Sequence, residues 1–540
     1  MILPSQNDYC SFYFRGKTPR PILFRRLSVM KKRLIALLTA LTLVFTLLVA
    51  CTAPADDNTQ NSAITPAVYD YDKDFSVYRT AGQQEESYDY KLNFLPAVDG
   101  LNQPYVGDTM PYYENGTYYI YYLKEGGDSY NHSIYVATTT DFKTYTEYDA
   151  PVLESSRSGG QDAWIGTGSL VKVEDKYYFF YTGHAASSTL EYAEKVMVAE
   201  GTSPLQLTKR EGWDITPPAT LGQKQDFRDP QAYYNGATGT IEMTVTASQS
   251  GKARILKYTL SKDLTGRQYD GIIFTDENEG FWNLECSDTF RMGNKYYITY
   301  SGQDDTLWYA FSDTAYGPYG SPKRLDDKLF YAAKHVSDGT DMYMVGWLRR
   351  SASASSLSEV AEWGGNLAVQ QLGQNADGSL YLKPAEVIAS AFTDKRTLLS
   401  DTSVSLEGGL YYEYQSAFTA YERFLIKGKF NYTGSAAFGL AFDYSGKQEK
   451  YKLVSVIPSE KKMTLSFNEG ENFITETAVT LKAGETYSFT YLQEGSCGVF
   501  YIDGIAALSV RLYGVSGRQI RLFVEKGSVE FTDLVQYTAA

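Results

Sequence analysis

Histidine is nearly missing from this chain. His132, His184 and His335 are the three present in 540 residues, and they are widely scattered, which argues against a zinc hydrolase and against a histidine-based triad. Cysteine is almost as scarce, with four residues. Cys10 precedes the expected start of translation and Cys51 ends an apolar leader. Cys286 and Cys497 fall in different expected domains. They imply no disulfide framework; the last two read as unpaired buried thiols. Neither Cys nor His clusters with metal-ligand spacing, so no metal is expected. Positive charge is also in deficit: 50 Lys and Arg against 64 Asp and Glu leave a formal net charge of −14. Such a surface repels phosphates, so nucleic acid is not an expected partner.

What the chain does contain is aromatic residues at turns. It has 47 Tyr and 27 Phe with little helical periodicity, which favours strands. Asn115-Gly116-Thr117-Tyr118-Tyr119-Ile120-Tyr121-Tyr122 recurs as Asp175-Lys176-Tyr177-Tyr178-Phe179-Phe180-Tyr181 and as Gly293-Asn294-Lys295-Tyr296-Tyr297-Ile298-Thr299-Tyr300. Weaker copies begin at Gly239 and Asp341. The anchors Tyr118, Tyr177, Ile241, Tyr296 and Met342 are separated by 59, 64, 55 and 46 residues. One hairpin per roughly 50 residues is the spacing of a four-stranded propeller blade. Five units predict a five-bladed β-propeller over residues 89–392. Beyond it, alternating strands such as Phe438, Leu440, Phe442 and Tyr487, Phe489, Tyr491, with a hairpin turn at Asp503-Gly504, predict a C-terminal β-sandwich over 393–540. The fold class is therefore all-β.

The N-terminus carries a leader. Met30-Lys31-Lys32-Arg33 precedes an apolar run from Leu34 to Ala50, then Cys51. A basic start, an apolar core and Leu48-Val49-Ala50-Cys51 resemble a bacterial lipoprotein signal, in which Cys51 would carry lipid. Residues 1–51 are read as an upstream segment plus this signal, with Met30 as the expected start. Residues 52–88 are read as a tether and lead-in. The expected location is extracytoplasmic, on the surface of a bacterium, with the membrane met through the lipid alone.

Three carboxylates stand in the same phase of the repeat: Asp108 in Gly107-Asp108-Thr109-Met110-Pro111, Asp229 in Phe227-Arg228-Asp229-Pro230, and Glu285 in Asn283-Leu284-Glu285-Cys286. Separate blades would bring them to one pocket. Retaining hydrolysis of a glycosidic bond needs a carboxylate nucleophile and a carboxylic acid about 5–5.5 Å apart. Arg228 is expected to hold its neighbour Asp229 ionised and to donate to sugar hydroxyls. The apolar stretch Phe281-Trp282-Asn283-Leu284 is expected to raise the Glu285 pKa and suit it to acid/base work.

The ordered motifs resemble glycoside hydrolase family 32, the invertases, levanases and inulinases. Arg228-Asp229-Pro230 matches the family's R-D-P. Glu285-Cys286 with Asp288 matches its E-C-P-D, with Ser287 in place of Pro. Trp164-Ile165-Gly166-Thr167-Gly168-Ser169 is similar to its tryptophan–glycine loop. Phe180-Tyr181-Thr182-Gly183, Phe330-Tyr331-Ala332, Gly346-Trp347 and Asn366 through Leu380 follow in order. The resemblance implies a propeller followed by a sandwich, a β-fructofuranoside substrate, Asp108 as nucleophile, Glu285 as acid/base and Asp229 as transition-state stabiliser. Arg228, Trp164, Tyr105 and Trp282 would bind the sugar. The family's W-M-N-D-P-N-G aligns with Tyr105-Val106-Gly107-Asp108-Thr109-Met110-Pro111, so Tyr105 replaces Trp and Gly107 replaces Asn. Leu123 stands at the family's sugar-contacting Gln. An inverting arabinanase or xylosidase of the family-43 type, and a non-catalytic glycan-binding lipoprotein, are the alternative readings.

Overall fold

Each tyrosine-rich segment that the sequence repeats is the second strand of a four-stranded antiparallel sheet. In the computed structural model the first blade comprises β1 (Thr109–Glu114), β2 (Thr117–Glu125), β3 (His132–Thr139) and β4 (Thr146–Glu147). The second comprises β5 (Trp164–Val173), β6 (Lys176–His184), β7 (Glu194–Ser203) and β8 (Gln206–Ile215). The third comprises β9 (Phe227–Asn235), β10 (Thr240–Gln249), β11 (Lys252–Ser261) and β12 (Arg267–Phe274). The fourth comprises β13 (Glu285–Met292), β14 (Lys295–Ser301), β15 (Leu307–Ser312) and β16 (Lys323–Asp326). The fifth comprises β17 (Phe330–Ser337), β18 (Met342–Ser351), β19 (Ala361–Gln374) and β20 (Leu380–Pro384). The anchors Tyr118, Tyr177, Ile241, Tyr296 and Met342 open β2, β6, β10, β14 and β18, so all five expected blades are present.

The structure describes residues 64, 90–97, 105–125, 132–156, 159–185, 189–276, 280–351, 361–396, 403–434, 437–443, 451–467 and 472–539, all within the unit Asn61–Ala540. The apolar leader, Cys51 and, apart from Ile64, the 52–88 lead-in lie outside these residues.

Inner strands β1, β5, β9, β13 and β17 touch one another in sequence and β17 returns to β1, which closes the ring. The closure is reinforced by the chain ahead of β1, where Val106 exchanges backbone hydrogen bonds of 2.9 and 3.0 Å with Gly365 of β19. Aromatic rings fill the space within and between blades, as in the fully buried Tyr121, Phe179, Tyr181, Tyr297 and Tyr300. A buried phenol needs a partner for its hydroxyl. Tyr121 donates to the Pro204 carbonyl (2.7 Å), Tyr297 to the Gly378 carbonyl (2.7 Å) and Tyr300 to Asp276 (2.6 Å).

After a short helix α1 (Glu386–Ala389), the C-terminal strands form one continuous hydrogen-bonded sheet folded into two layers. Its pivot is the 20-residue strand Gln519–Thr538. The Ile520–Val524 end pairs with the strand Phe438–Asp443, and Val529–Thr538 pairs with the strand Arg423–Thr433. The expected sandwich is therefore a single bent sheet, nearly closed on itself. It shares an apolar core with the last two blades, in which Phe330, Leu348 and Leu382 meet Phe424, Leu508 and Val510. Polar groups fasten the same junction: Arg511 donates to Asn366 (2.9 Å) and to the Leu348 carbonyl (3.0 Å). Cys286 and Cys497 are buried thiols outside any disulfide, as expected, and Arg511 donates to the Cys497 sulfur (3.1 Å).

Candidate active site

The three carboxylates sit at one end of the ring, at or near the first residues of inner strands. Asp108 immediately precedes β1, Asp229 is third in β9 and Glu285 is first in β13. A shared irregularity shapes this end. The inner strands of the last four blades each carry one extra residue against the neighbouring strand, near Thr167, Asp229-Pro230, Cys286-Ser287 and Ala332-Ala333. Such bulges re-aim side chains and unpair backbone groups. In three of them a residue with a β-carbon adopts left-handed backbone: Asp229 (φ 57°), Cys286 (φ 51°) and Ala332 (φ 51°). Each costs on the order of 1–3 kcal/mol, the kind of strain that collects at functional sites. The released amides find side chains instead. Asp229 N donates to Thr182 (2.8 Å), Ala332 N to Ser301 (3.0 Å) and Cys286 N to the Asp229 carboxylate (2.7 Å).

These contacts tie the acids together. Asp108 accepts hydrogen bonds from Thr167 (2.9 Å) and from the Trp347 indole N–H (3.2 Å). Thr167 also lies 3.6 Å from the Cys286 sulfur, one residue from Glu285. Burial lifts the Asp108 pKa above the ordinary carboxylate range, partly offset by Thr167 and reinforced by the charge of Glu285. Burial also pushes Asp229 up to about 6, against the opposing pull of Arg228 and the Cys286 amide. Glu285 accepts from Arg228 (2.9 Å) on one oxygen and from Tyr331 (2.6 Å) on the other.

Two expectations are corrected here. Arg228 does not hold Asp229 ionised within the ordinary range. Its guanidinium reaches away from its chain neighbour to Glu285 and to Glu194 (3.1 Å), and burial dominates at Asp229. Successive side chains on a strand point to opposite sides, which separates the two. Nor does the apolar stretch enclose Glu285: Phe281 and Leu284 pack into the fourth blade with Tyr300 and Trp308, leaving an arginine and a phenol as its partners.

Trp164 and Trp282 are exposed by 38% and 40%, unusual for tryptophan and fitting for a pocket wall. Trp282 lies under the Arg228 guanidinium at 5.3 Å, and Trp164 lies 5.8 Å from the His132 ring. Tyr105 lies against the Arg350 guanidinium at 4.0 Å. Asp288, buried below Glu285, binds the His335 amide (2.7 Å) and ring (2.6 Å) and Tyr233. It joins the third, fourth and fifth blades.

Several members were not foreseen. Glu194, first residue of β7, is buried and bridges Arg228, His184 (3.2 Å) and the Phe227 amide (2.5 Å). Burial pushes its pKa up, but Arg228 and His184 bring it down to about 2. Lys334 is buried between inner strands, donating to the Gly168 carbonyl (3.0 Å) and Gln231 (2.9 Å). Neither stands in a motif. Tyr331, Trp347 and Thr167 do, and their motifs could have been read as pocket donors.

Fold and site together define a propeller glycoside hydrolase whose acids come from three separate blades. The profile of the glycosyl hydrolases family 32 N-terminal domain matches residues 96–384, more than half of the sequence, and the chain belongs to that family. Solved structures agree in fold. Sucrose-6-phosphate hydrolase from Lactobacillus gasseri is 17% identical with a TM-score of 0.64, over 81% of this chain and 91% of its own. Exo-inulinase from Aspergillus awamori is 17% identical with a TM-score of 0.66, over 84% and 99%. Fructan 1-exohydrolase IIa from Cichorium intybus is 15% identical with a TM-score of 0.65, over 83% and 98%. No curated protein matches by sequence.

Proposed function

We propose that this protein is a retaining β-fructofuranosidase acting on sucrose, fructo-oligosaccharides or fructans outside the cytoplasm. Asp108 attacks the anomeric carbon of the fructosyl unit while Glu285 protonates the departing oxygen. Glu285 then takes a proton from water, which releases the sugar with its configuration retained. Asp229 and Arg228 hold ring hydroxyls, most firmly in the transition state. Trp164, Trp282 and Tyr105 line the approach to these groups, and the reaction uses no cofactor.

The observation that carries this reading is the tie between the acids: the Cys286 amide holds Asp229 at 2.7 Å, and the adjacent Glu285 is held by Arg228 and Tyr331. The named substrates of the structural relatives, sucrose 6-phosphate, inulin and fructan, favour a fructoside. The leader and Cys51 support a lipid-anchored protein of a bacterial surface, reached by extracellular glycans.

Incubation with a panel of fructans and arabinans, followed by NMR of the first-formed anomer, tests the reading. Free fructose with retained configuration is expected. Arabinose as the product would reject the substrate, and an inverted anomer would reject Asp108 as nucleophile.

A further inference from the structure

Gly107 is buried beside Asp108, and its backbone is not in the left-handed region. Space is what demands a glycine there. A β-carbon at this position would overlap the Cζ2 and Cη2 atoms of Trp363 and stand 3.1 Å from the Leu123 carbonyl oxygen, which already accepts the Gly107 amide at 2.9 Å. The indole thus fills the volume that any side chain at 107 would occupy. The backbone seats it there: Gly364 adopts φ 77°, Gly365 approaches the Leu348 carbonyl too closely for a side chain, and Gly365 pairs with Val106.

Trp363 is one panel of a wall. Its ring centroid lies 6.2 Å from that of Trp347, whose N–H binds Asp108. On another side it stacks on His132 at 4.5 Å with an interplanar angle of 8°, and His132 in turn meets Trp164. Burial lowers the His132 pKa to about 4, so near neutrality this imidazole is uncharged and stacks as a flat aromatic ring. Beside the attacking carboxylate, the pocket therefore offers an aromatic surface. Gly107 brings no side-chain amide, and Leu123 is buried in the apolar core with Met110 and Tyr121.

We infer that Trp363 determines glycone selection, and that the pocket takes furanosyl units presenting a C–H face, or lacking a hydroxyl, at this wall. The inference rests on the reading of Asp108 as the attacking carboxylate. Its physical basis is an asymmetry in discrimination. A site built to hydrogen-bond a hydroxyl rejects the analogue lacking it by about 10⁴–10⁵-fold, whereas an apolar wall discriminates by about 100-fold or less. Stacking on the indole supplies affinity without a hydrogen bond.

The experiment uses the mature protein and aryl β-fructofuranosides deoxygenated at one ring position at a time, all with the same leaving group. For one position, wild-type kcat/KM should fall by less than about 100-fold. Trp363→Ala should raise KM for the whole series by at least about tenfold with a smaller change in kcat, and Trp363→Phe should restore most of it. Gly107→Asn should be nearly inactive alone and regain activity in combination with Trp363→Ala. Thermal melts identify variants that merely unfold, and Trp363→Leu carries the comparison if the alanine variant does. Unchanged KM in Trp363→Ala, full activity in Gly107→Asn with Trp363 intact, or a loss above about 1,000-fold at every deoxygenated position would each overturn the inference. If the wild type releases a sugar other than fructose, the fructoside reading fails. Calorimetric binding of the released sugar to wild type and Trp363→Ala then decides the wall by itself: equal affinities reject it.

Discussion

Arg228 donates to Glu285 across 2.9 Å, a bond between residues from different blades. The guanidinium is fixed from behind by Glu194 and covered by the Trp282 ring, so the carboxylate of one inner strand is oriented by the cation of the next. A bond of this kind is charge-assisted and geometrically exacting. It also puts the guanidinium in hydrogen-bond contact with the proposed acid/base, while Asp229 feels the charge without a bond to it.

Removing the Glu285 carboxylate should separate its two duties. Glu285→Ala should slow hydrolysis of natural fructosides far more than of aryl fructosides, whose leaving groups need little protonation. Added azide should restore part of the rate with aryl substrates and yield a fructosyl azide of retained configuration. Asp108→Ala should be inactive on every substrate without azide, and any azide adduct it forms should be inverted. Rescue of Asp108→Ala by azide with retained configuration, and of Glu285→Ala with inversion, would exchange the roles.

Glu194 should act through Arg228. Glu194→Gln keeps the shape but weakens the hold on the guanidinium, and kcat/KM should drop by on the order of 10- to 100-fold, since small displacements of a positioning group are costly. Arg228→Lys should fall further, because an ammonium cannot serve Glu194 and Glu285 in one plane. If Glu194→Gln leaves the pH–rate profile and kcat/KM unchanged, the positioning role is wrong.

Asp229 makes the fold pH-dependent. In the unfolded chain its carboxyl releases a proton near 4, whereas in the folded protein it keeps it up to about 6. The folded state therefore binds the extra proton between those values, and the stability this proton confers is full below about pH 4 and lost as pH rises through 6. Asp229→Asn should remove that dependence and stabilise the protein at pH 7 by up to roughly 3 kcal/mol, while sharply lowering turnover. Chemical denaturation of both proteins at pH 4 and pH 7 measures the effect; an equal gain at both pH values would contradict it.

Glu494 holds the segment ahead of the propeller onto the C-terminal sheet. It is fully buried and accepts the amides of Lys91 (2.8 Å), Leu92 (2.9 Å) and Asn93 (2.6 Å) together with Arg423 (2.8 Å). Glu494→Ala strands all four donors and should cost about 3–5 kcal/mol. Denaturant titration should show the loss, while kcat at a temperature where the variant remains folded should be nearly unchanged.

Cys51→Ser should abolish lipid attachment and either release active protein to the medium or leave an uncleaved precursor. A variant that fractionates with membranes and migrates like wild type would remove the anchoring proposal.

The blades were legible in the sequence because a strand pair is a local object. A turn such as Asn115-Gly116 or Gly293-Asn294 and the alternating aromatics beside it are read within about ten residues, and five such readings sum to a ring. The acids Asp108, Asp229 and Glu285 were legible for the same reason, each lying at a fixed place relative to its hairpin. The C-terminal strands could be recognised singly, as at Phe438, Leu440 and Phe442, but not the path of the strand Gln519–Thr538, whose pairing is settled by packing among residues as distant in sequence as Val404 and Phe531. Tertiary structure alone decided the company each acid keeps. Arg228 adjoins Asp229 in sequence yet serves Glu285, because neighbouring side chains on a strand diverge and the bulge at Asp229 turns its carboxylate to the Cys286 amide. Likewise Gly107 could be seen as a missing side chain, but only the folded ring, which brings β19 back to β1, places Trp363 in the space it leaves.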